Sequence, residues 1–506
     1  MPTDKRSSDG IEFRAIETND LGRLTTVLQA LDNQWVPRGL LARMLEEGLA
    51  LRDVTTQRER AVRAEYLRGL LNSRQVVLNR TFVYNNPVVN RDFMQSGPDR
   101  DAFVRLIGDG VIVPYLFNES APTDRPRNFS VEDKSFIGWC EVCRETPAHC
   151  LRLSWDDAEN ASRTRFELAQ RFHAFSLAMY IMDPSVLARD LGLDADRTTE
   201  FERRLRHVAG YCVTVDGLVT REQLYKEFVV ANGSAPVDGR YDGSKAFAGE
   251  IKQLLDLRYC ANLPDALCRF PLTAVDSLPR TALQELDQTK RLGKAGADDI
   301  VRLARNAVFT LTQKGLTLPS LRALSIHDVA AIRRTEAWST YANSMECLLD
   351  NPWTFDDYET GAAAVYRDYF AVARELQRHV EGRVTEKLRQ LTPTIKMVLD
   401  CAGAVAEMVW TPAGKVLRTL GEVSKLLPGD VAPLIGRLVV SGSLDSAESE
   451  DLELRVDFLA KRLPDASNQW KEIVRKVEES GFQPLAHQPT SEGPTINHPV
   501  TDAPEE

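Results

Sequence analysis

Residues 76–117 read VVLNRTFVYNNPVVNRDFMQSGPDRDAFVRLIGDGVIVPYLF, and the fold turns on how this stretch is read. Val76 to Leu78, Thr81 to Tyr84 and Val111 to Phe117 are short β-branched and aromatic runs. Asn85-Asn86-Pro87 and Gly108-Asp109-Gly110 interrupt them. Runs of this length and composition, bounded by turn residues, predict strands. Between them Asp99 to Ile107 predicts one short helix, so 76–155 is expected to form a small α/β or α+β element.

On either side the apolar spacing is helical. Toward the start, Leu21, Leu24, Val27, Leu28 and Leu31 recur at three and four, as do Leu40, Leu41, Met44, Leu45 and Leu49 after Pro37. Thr56 and Glu59 read as a capping box opening a helix to about Leu71, with Val62, Tyr66, Leu67 and Leu70 inward. Beyond the mixed element, 162–182 predicts a helix, and capping boxes are read at Thr199/Glu202 and Thr220/Gln223. A loop rich in Gly follows at 232–244. Ser325 and Asp328 cap a further helix, and the longest periodic signal runs from Asp356 to Leu391 through Tyr366, Tyr369, Ala373, Leu376 and Val380. Two more helices are expected near 446–463 and 466–479.

The expectation is a mainly α, multidomain helical protein with the small mixed element near 76–155 and a helical-bundle C-terminal half. The segments would be an N-terminal helical stretch at 1–75, the element at 76–155, a helical domain at 156–285, a bundle at 286–480 with its long helix at about 356–391, and a tail at 481–506. That tail is rich in Pro and acidic at its end, which predicts disorder.

Composition narrows the class of function. With 43% hydrophobic and 27% charged residues over 506 positions the chain has enough apolar content for sizeable cores. A net charge of −10 disfavours general adhesion to nucleic acid or anionic membranes unless a local patch overrides it. The basic residues are 48 Arg and 15 Lys, a skew expected of a GC-rich genome and a bacterial cytoplasm. The polar start, Met1 to Ile11, carries no apolar segment of the secretory kind, and eight scattered Cys suit reduced thiols. The most apolar region, 395–444, is broken by Lys396, Asp400, Glu407, Lys415 and Arg418 among others, so no membrane span is expected.

Three clusters carry possible chemistry. Cys140 and Cys143, followed by His149 and Cys150, offer four candidate zinc ligands within eleven residues, although a second matching pair is missing and adjacent ligands are awkward. Asn79, Arg80, Asn86, Asn90, Arg91 and Asp92 supply amides and guanidinium groups at strand ends, as a phosphate or base-edge site would use; the same residues also suit turns and caps. Arg58, Arg60, Arg63, Arg68 and Arg74 make the one local basic excess, a nucleic-acid surface if they share a helix face and an ordinary solvated face otherwise. Phosphate-binding Gly-Lys-Ser/Thr loops, His-Glu-x-x-His and Gly-x-Ser-x-Gly motifs are all missing from the sequence.

These signals favour a non-catalytic regulatory or scaffolding protein that meets a protein partner, or a second copy of itself, through helical surfaces. The alternatives are a nucleotide- or phosphate-handling enzyme or sensor with its site in 76–155, and nucleic-acid binding through the Arg-rich helix at 52–74.

Overall fold

The structure, a computed structural model, describes residues 3–6, 10–29, 51–117, 119–126, 132–153, 174–176, 188, 193–212, 218–220, 224–233, 241–272, 297–316, 324–350, 361–376, 378–379 and five positions between 472 and 479. At its centre is a seven-stranded sheet. Its strands are β1 (Thr3–Arg6), β2 (Glu12–Ile16), β3 (Thr25–Leu28), β4 (Gln75–Asn79), β5 (Ile112–Phe117), β6 (Ala148–Leu153) and β9 (Phe270–Pro271). The spatial order is β1-β2-β6-β5-β4-β3-β9, and every neighbouring pair is parallel except the edge pair β1–β2. A second, two-stranded antiparallel ribbon joins β7 (Ala174–Ser176) to β8 (Leu218–Thr220).

This overturns the mainly α expectation: the described part is built on six parallel strands with helices, an α/β arrangement. The decisive strand is β3. Its four residues are buried on both faces, so it shows none of the apolar–polar alternation of a half-exposed strand. Leu21, Leu24, Val27 and Leu28 therefore mimic helical spacing, while Leu24 and Leu28 pack on one face of the sheet and Val27 on the other. Thr81 to Tyr84 errs the other way. It lies in α2 (Arg80–Asn85), because Asn79 Oδ1 accepts the Thr81 N–H at 3.0 Å and so starts a helix where β4 ends. Asn86 repeats the device for α3 (Pro87–Met94), accepting from Val88 N at 2.8 Å with Pro87 in the first turn.

The connections β3-α1-β4, β4-α2-α3-α4-β5 and β5-α5-β6 step in one direction across the sheet, with α1 (Leu51–Asn72), α4 (Pro98–Gly108) and α5 (Asp133–Glu145) as the long crossovers. Crossovers of one hand that step one way must cover one face. They do: Tyr66, Leu70, Val83, Phe93, Phe103 and Trp139 pack with Val76, Leu78, Ile112 and Leu116 in a single core. The opposite face, Val77, Val113, Tyr115, Leu151 and Leu153, is closed by Leu21 and by Leu263, Ala266 and Leu267 at the end of α7 (Ala248–Ala266) and just beyond it. At the α4–β5 turn Gly110 has φ +67, and a Cβ there would run into the His149 ring.

Four later helices join the first core: α8 (Ala297–Gly315), α9 (Ile326–Ile332), α10 (Glu336–Asp350) and α11 (361–376). The capping box read at Ser325/Asp328 is present, with Ser325 Oγ accepting from Asp328 N at 3.2 Å. Thr199 instead lies inside α6 (Ala195–Cys212), Thr220 lies in β8, and of 162–182 the described residues 174–176 are strand. The helices expected at 40–49 and 446–463, the apolar region 395–444, the rest of 356–391 beyond α11 and the tail at 481–506 fall almost wholly outside the described residues. Among the described residues no helix is long and apolar enough to cross a membrane.

Candidate functional site

In a parallel sheet all strands end on one edge, where the backbone leaves the sheet and side chains can converge on a ligand. The register places the last rows of this sheet unambiguously. Val27, Val77 and Val113 pair across β3, β4 and β5 as one apolar row on the face closed by α7. Two residues further on, alternation brings Gln29, Asn79 and Tyr115 to the carboxyl edge of the same face, with Asn79 and Tyr115 direct register partners.

The row is polar and partly satisfied from within. The Tyr115 hydroxyl donates to Gln29 Oε1 at 2.6 Å, reaching across β4 to do so. Gln29 is 1% exposed, and its Nε2 is buried without a hydrogen-bond partner among the described residues. An unmet buried donor costs about 1–3 kcal/mol, and Gln29 Nε2 is one of several such atoms, Gln313 Nε2 among them. Asn79 contributes its Oδ1 to the start of α2, accepting from Thr81 N and from the Thr81 hydroxyl.

Beside this row the charged groups balance one another. Arg80, 2% exposed, donates through Nη1 to Pro122 O at 2.7 Å and lies 3.1 Å from Glu119 Oε1 through Nη2. Trp139 Nε1 donates to the same Pro122 carbonyl at 2.8 Å. Asp124 accepts from Ser120 N and Ala121 N, both at 2.9 Å, so the segment that leaves β5 is folded back and held in place. Burial raises the Tyr84 phenol well above its ordinary value, more than the nearby Arg80 charge lowers it.

The six residues expected to form an anion site thus separate. Asn79 and Arg80 lie at the carboxyl edge. Asn86 is a helix cap, and Asn90 Nδ2 donates to Tyr84 O at 3.3 Å and to Ser135 Oγ at 3.1 Å. Arg91 is exposed on α3. Asp92 is buried and receives both Arg63 Nη1, at 2.5 Å, and Arg63 Nη2, at 2.7 Å. Gln29, Tyr115 and Glu119 escaped the sequence reading; the signal for Gln29 was a polar residue directly after a four-residue β-branched and apolar run.

The basic run does not form a solvent-facing stripe. Arg63 and Arg68 are each 3% exposed, the first paired with Asp92 and the second with Glu65 and Gln313. Arg74 pairs with Glu346 at 3.0 Å and stacks over Trp338, leaving Arg60 as an exposed member; the side chain of Arg58 lies outside the described residues.

The zinc arrangement is not assembled either. Cys140 and Cys143 on α5 and Cys150 on β6 are buried thiols outside any disulfide, on the crossover face. His149, next along β6, points to the opposite side, as strand alternation requires, with its Nε2 3.1 Å from Arg14 Nη1. No group of three or more His, Cys, Asp or Glu suited to a metal occurs among the described residues. Burial pushes the Cys150 thiol up to about 12 and raises Cys143 well above the usual range, so neither is a thiolate at neutral pH.

No protein-family model matches the chain, and no curated protein and no solved structure is significantly similar to it.

Proposed function

We propose that the α/β sheet is a binding module for a nucleoside-bearing small molecule, seated at the carboxyl ends of β3, β4 and β5. The observation that carries this reading is the buried, unpartnered Nε2 of Gln29, in the row it shares with Asn79 and Tyr115. Carboxamide side chains hydrogen-bond the edges of nucleobases, and parallel sheets hold nucleotides at this edge. The sheet-edge argument is one of fold analogy; the Gln29 donor is particular to this chain. Because Arg80 is matched by Glu119 and Pro122 O, the edge favours neutral recognition over capture of free phosphate.

Calorimetric titration with ribonucleosides and with inorganic phosphate tests the reading. Binding of a nucleoside that weakens at least about tenfold in Gln29→Met, with phosphate silent, is expected of one lost buried hydrogen bond. Phosphate binding without nucleoside binding would replace it with an anion site.

Docking of a protein partner or a second copy of the chain through the C-terminal helices has less support. Leu303, Val308, Val329, Tyr341, Leu348 and Tyr369 from α8 to α11 belong to the same core as the sheet, so those apolar faces are already covered. Nucleic-acid binding through α1 is disfavoured by the burial of Arg63 and Arg68.

A further inference from the structure

We infer that Tyr115 is a specificity-determining positioning residue, which fixes the Gln29 amide so that the site accepts ligands presenting a hydrogen-bond acceptor and rejects those presenting a donor. The inference rests on the nucleoside reading above. A carboxamide can present either its oxygen or its NH2 by rotating half a turn, and a site built on an unfixed amide does not discriminate.

Here one orientation is enforced. The Tyr115 oxygen lies 2.6 Å from the Gln29 side chain. That separation is within the range of an O–H···O bond, about 2.5–3.0 Å. The Gln29 atom that faces the phenol is Oε1, so Tyr115 donates. A phenol oxygen is also a weaker acceptor than an amide oxygen, because its lone pair is shared with the ring, and the flipped arrangement would leave the better acceptor buried and unmet. With Oε1 occupied, Nε2 is the group left for a ligand, and it is the atom without a partner.

The same chemistry separates nucleobases in pairs. Hypoxanthine and uracil carry a carbonyl where adenine and cytosine carry an exocyclic amine, so the first of each pair meets an N–H donor and the second opposes it. Inosine is expected to bind more tightly than adenosine, and uridine than cytidine, by about tenfold or more. In Tyr115→Phe the amide is free to turn, and both ratios are expected to fall toward one while binding persists. A purely structural role for Tyr115 would weaken all four nucleosides together and leave the ratios unchanged.

The decisive experiment is calorimetric titration of the full chain and of Tyr115→Phe with these four nucleosides, with thermal melting to confirm that both are folded. Preference for inosine and uridine that collapses in the variant supports the inference. Binding without that preference, or with ratios that survive Tyr115→Phe, overturns the inference and leaves the ligand site standing. Failure of all four nucleosides to bind the folded parent chain overturns the site and the inference together.

Discussion

The Arg333 guanidinium donates through Nη2 to the backbone carbonyl of Arg74 at 2.6 Å, closing the C-terminal end of α1 from a position 259 residues away in sequence. Its Nη1 takes the carbonyls of Leu70 and Ser73, Trp338 Nε1 takes that of Leu71 at 2.6 Å, and Tyr341 Oη takes that of Asn72 at 3.1 Å. A helix leaves its last carbonyls without partners, and here side chains of α10 and of the turn after α9 supply them. Burial pulls Arg333 down to about 9, which leaves it charged at neutral pH beside the negative end of the helix dipole.

Arg333→Met is expected to destabilise the chain by about 2–4 kcal/mol, since it strands several buried carbonyls at once. Urea unfolding followed by circular dichroism reads this directly. Arg333→Lys should recover only part of the loss, because an ammonium lacks the planar fork that reaches three acceptors. A loss below about 0.5 kcal/mol would mean that water replaces the clasp and that it does not hold α9 and α10 to the sheet.

The Arg63–Asp92 pair makes a second expectation, again about stability. Both side chains are at most 4% exposed, and burial raises the Asp92 carboxyl against the lowering effect of Arg63. Asp92→Ala should cost about 3–5 kcal/mol by leaving a buried charge, whereas Arg63→Met with Asp92→Leu should cost much less. Unfolding free energies of the four forms give the coupling. Additive losses would show that the two groups act independently.

Thiol chemistry separates the cysteines by burial. At pH 8 an alkylating reagent should modify Cys268 and Cys347, which are exposed, while Cys140, Cys143 and Cys150 react only on unfolding. Peptide mass spectrometry reads the positions. Rapid labelling of Cys143 in the native protein would show that the α5–β6 contact opens.

The raised thiol values also set a pH dependence. A thiol held protonated in the fold and ionising near 9 when unfolded favours the unfolded chain once pH passes 9. Stability should therefore fall by up to about 1.4 kcal/mol per pH unit from Cys150 between pH 9 and about 12, with Cys143 acting in the same direction. The slope should ease in Cys150→Val, measured by unfolding at pH 8, 9 and 10. An unchanged slope would assign the alkaline loss to other groups.

Removing the cap that starts α2 should be a small effect. Asn79→Ala is expected to lower stability by about 1 kcal/mol and Asn79→Ser to restore most of it, since either oxygen can accept from Thr81 N. Thermal melting of the two variants distinguishes a cap from a side chain held in place for ligand alone.

Local chemistry was legible without a structure. Val76 to Leu78 and Ile112 to Phe117 are strands because β-branched and aromatic runs pack well when buried on both faces, and α4 follows from its own periodicity and from Pro98 in its first turn. The Ser325/Asp328 capping box is complete within four residues. What tertiary structure alone decided is everything that depends on register and on distant pairing. Thr25 to Leu28 is a strand because two parallel neighbours satisfy its backbone, a condition invisible in a run of four. Arg63 became a buried ion pair because Asp92 lies across from it, not because of its own arginine-rich surroundings. Gln29, Asn79 and Tyr115 form one row only because the register aligns three strands at that level, which no spacing along the chain records.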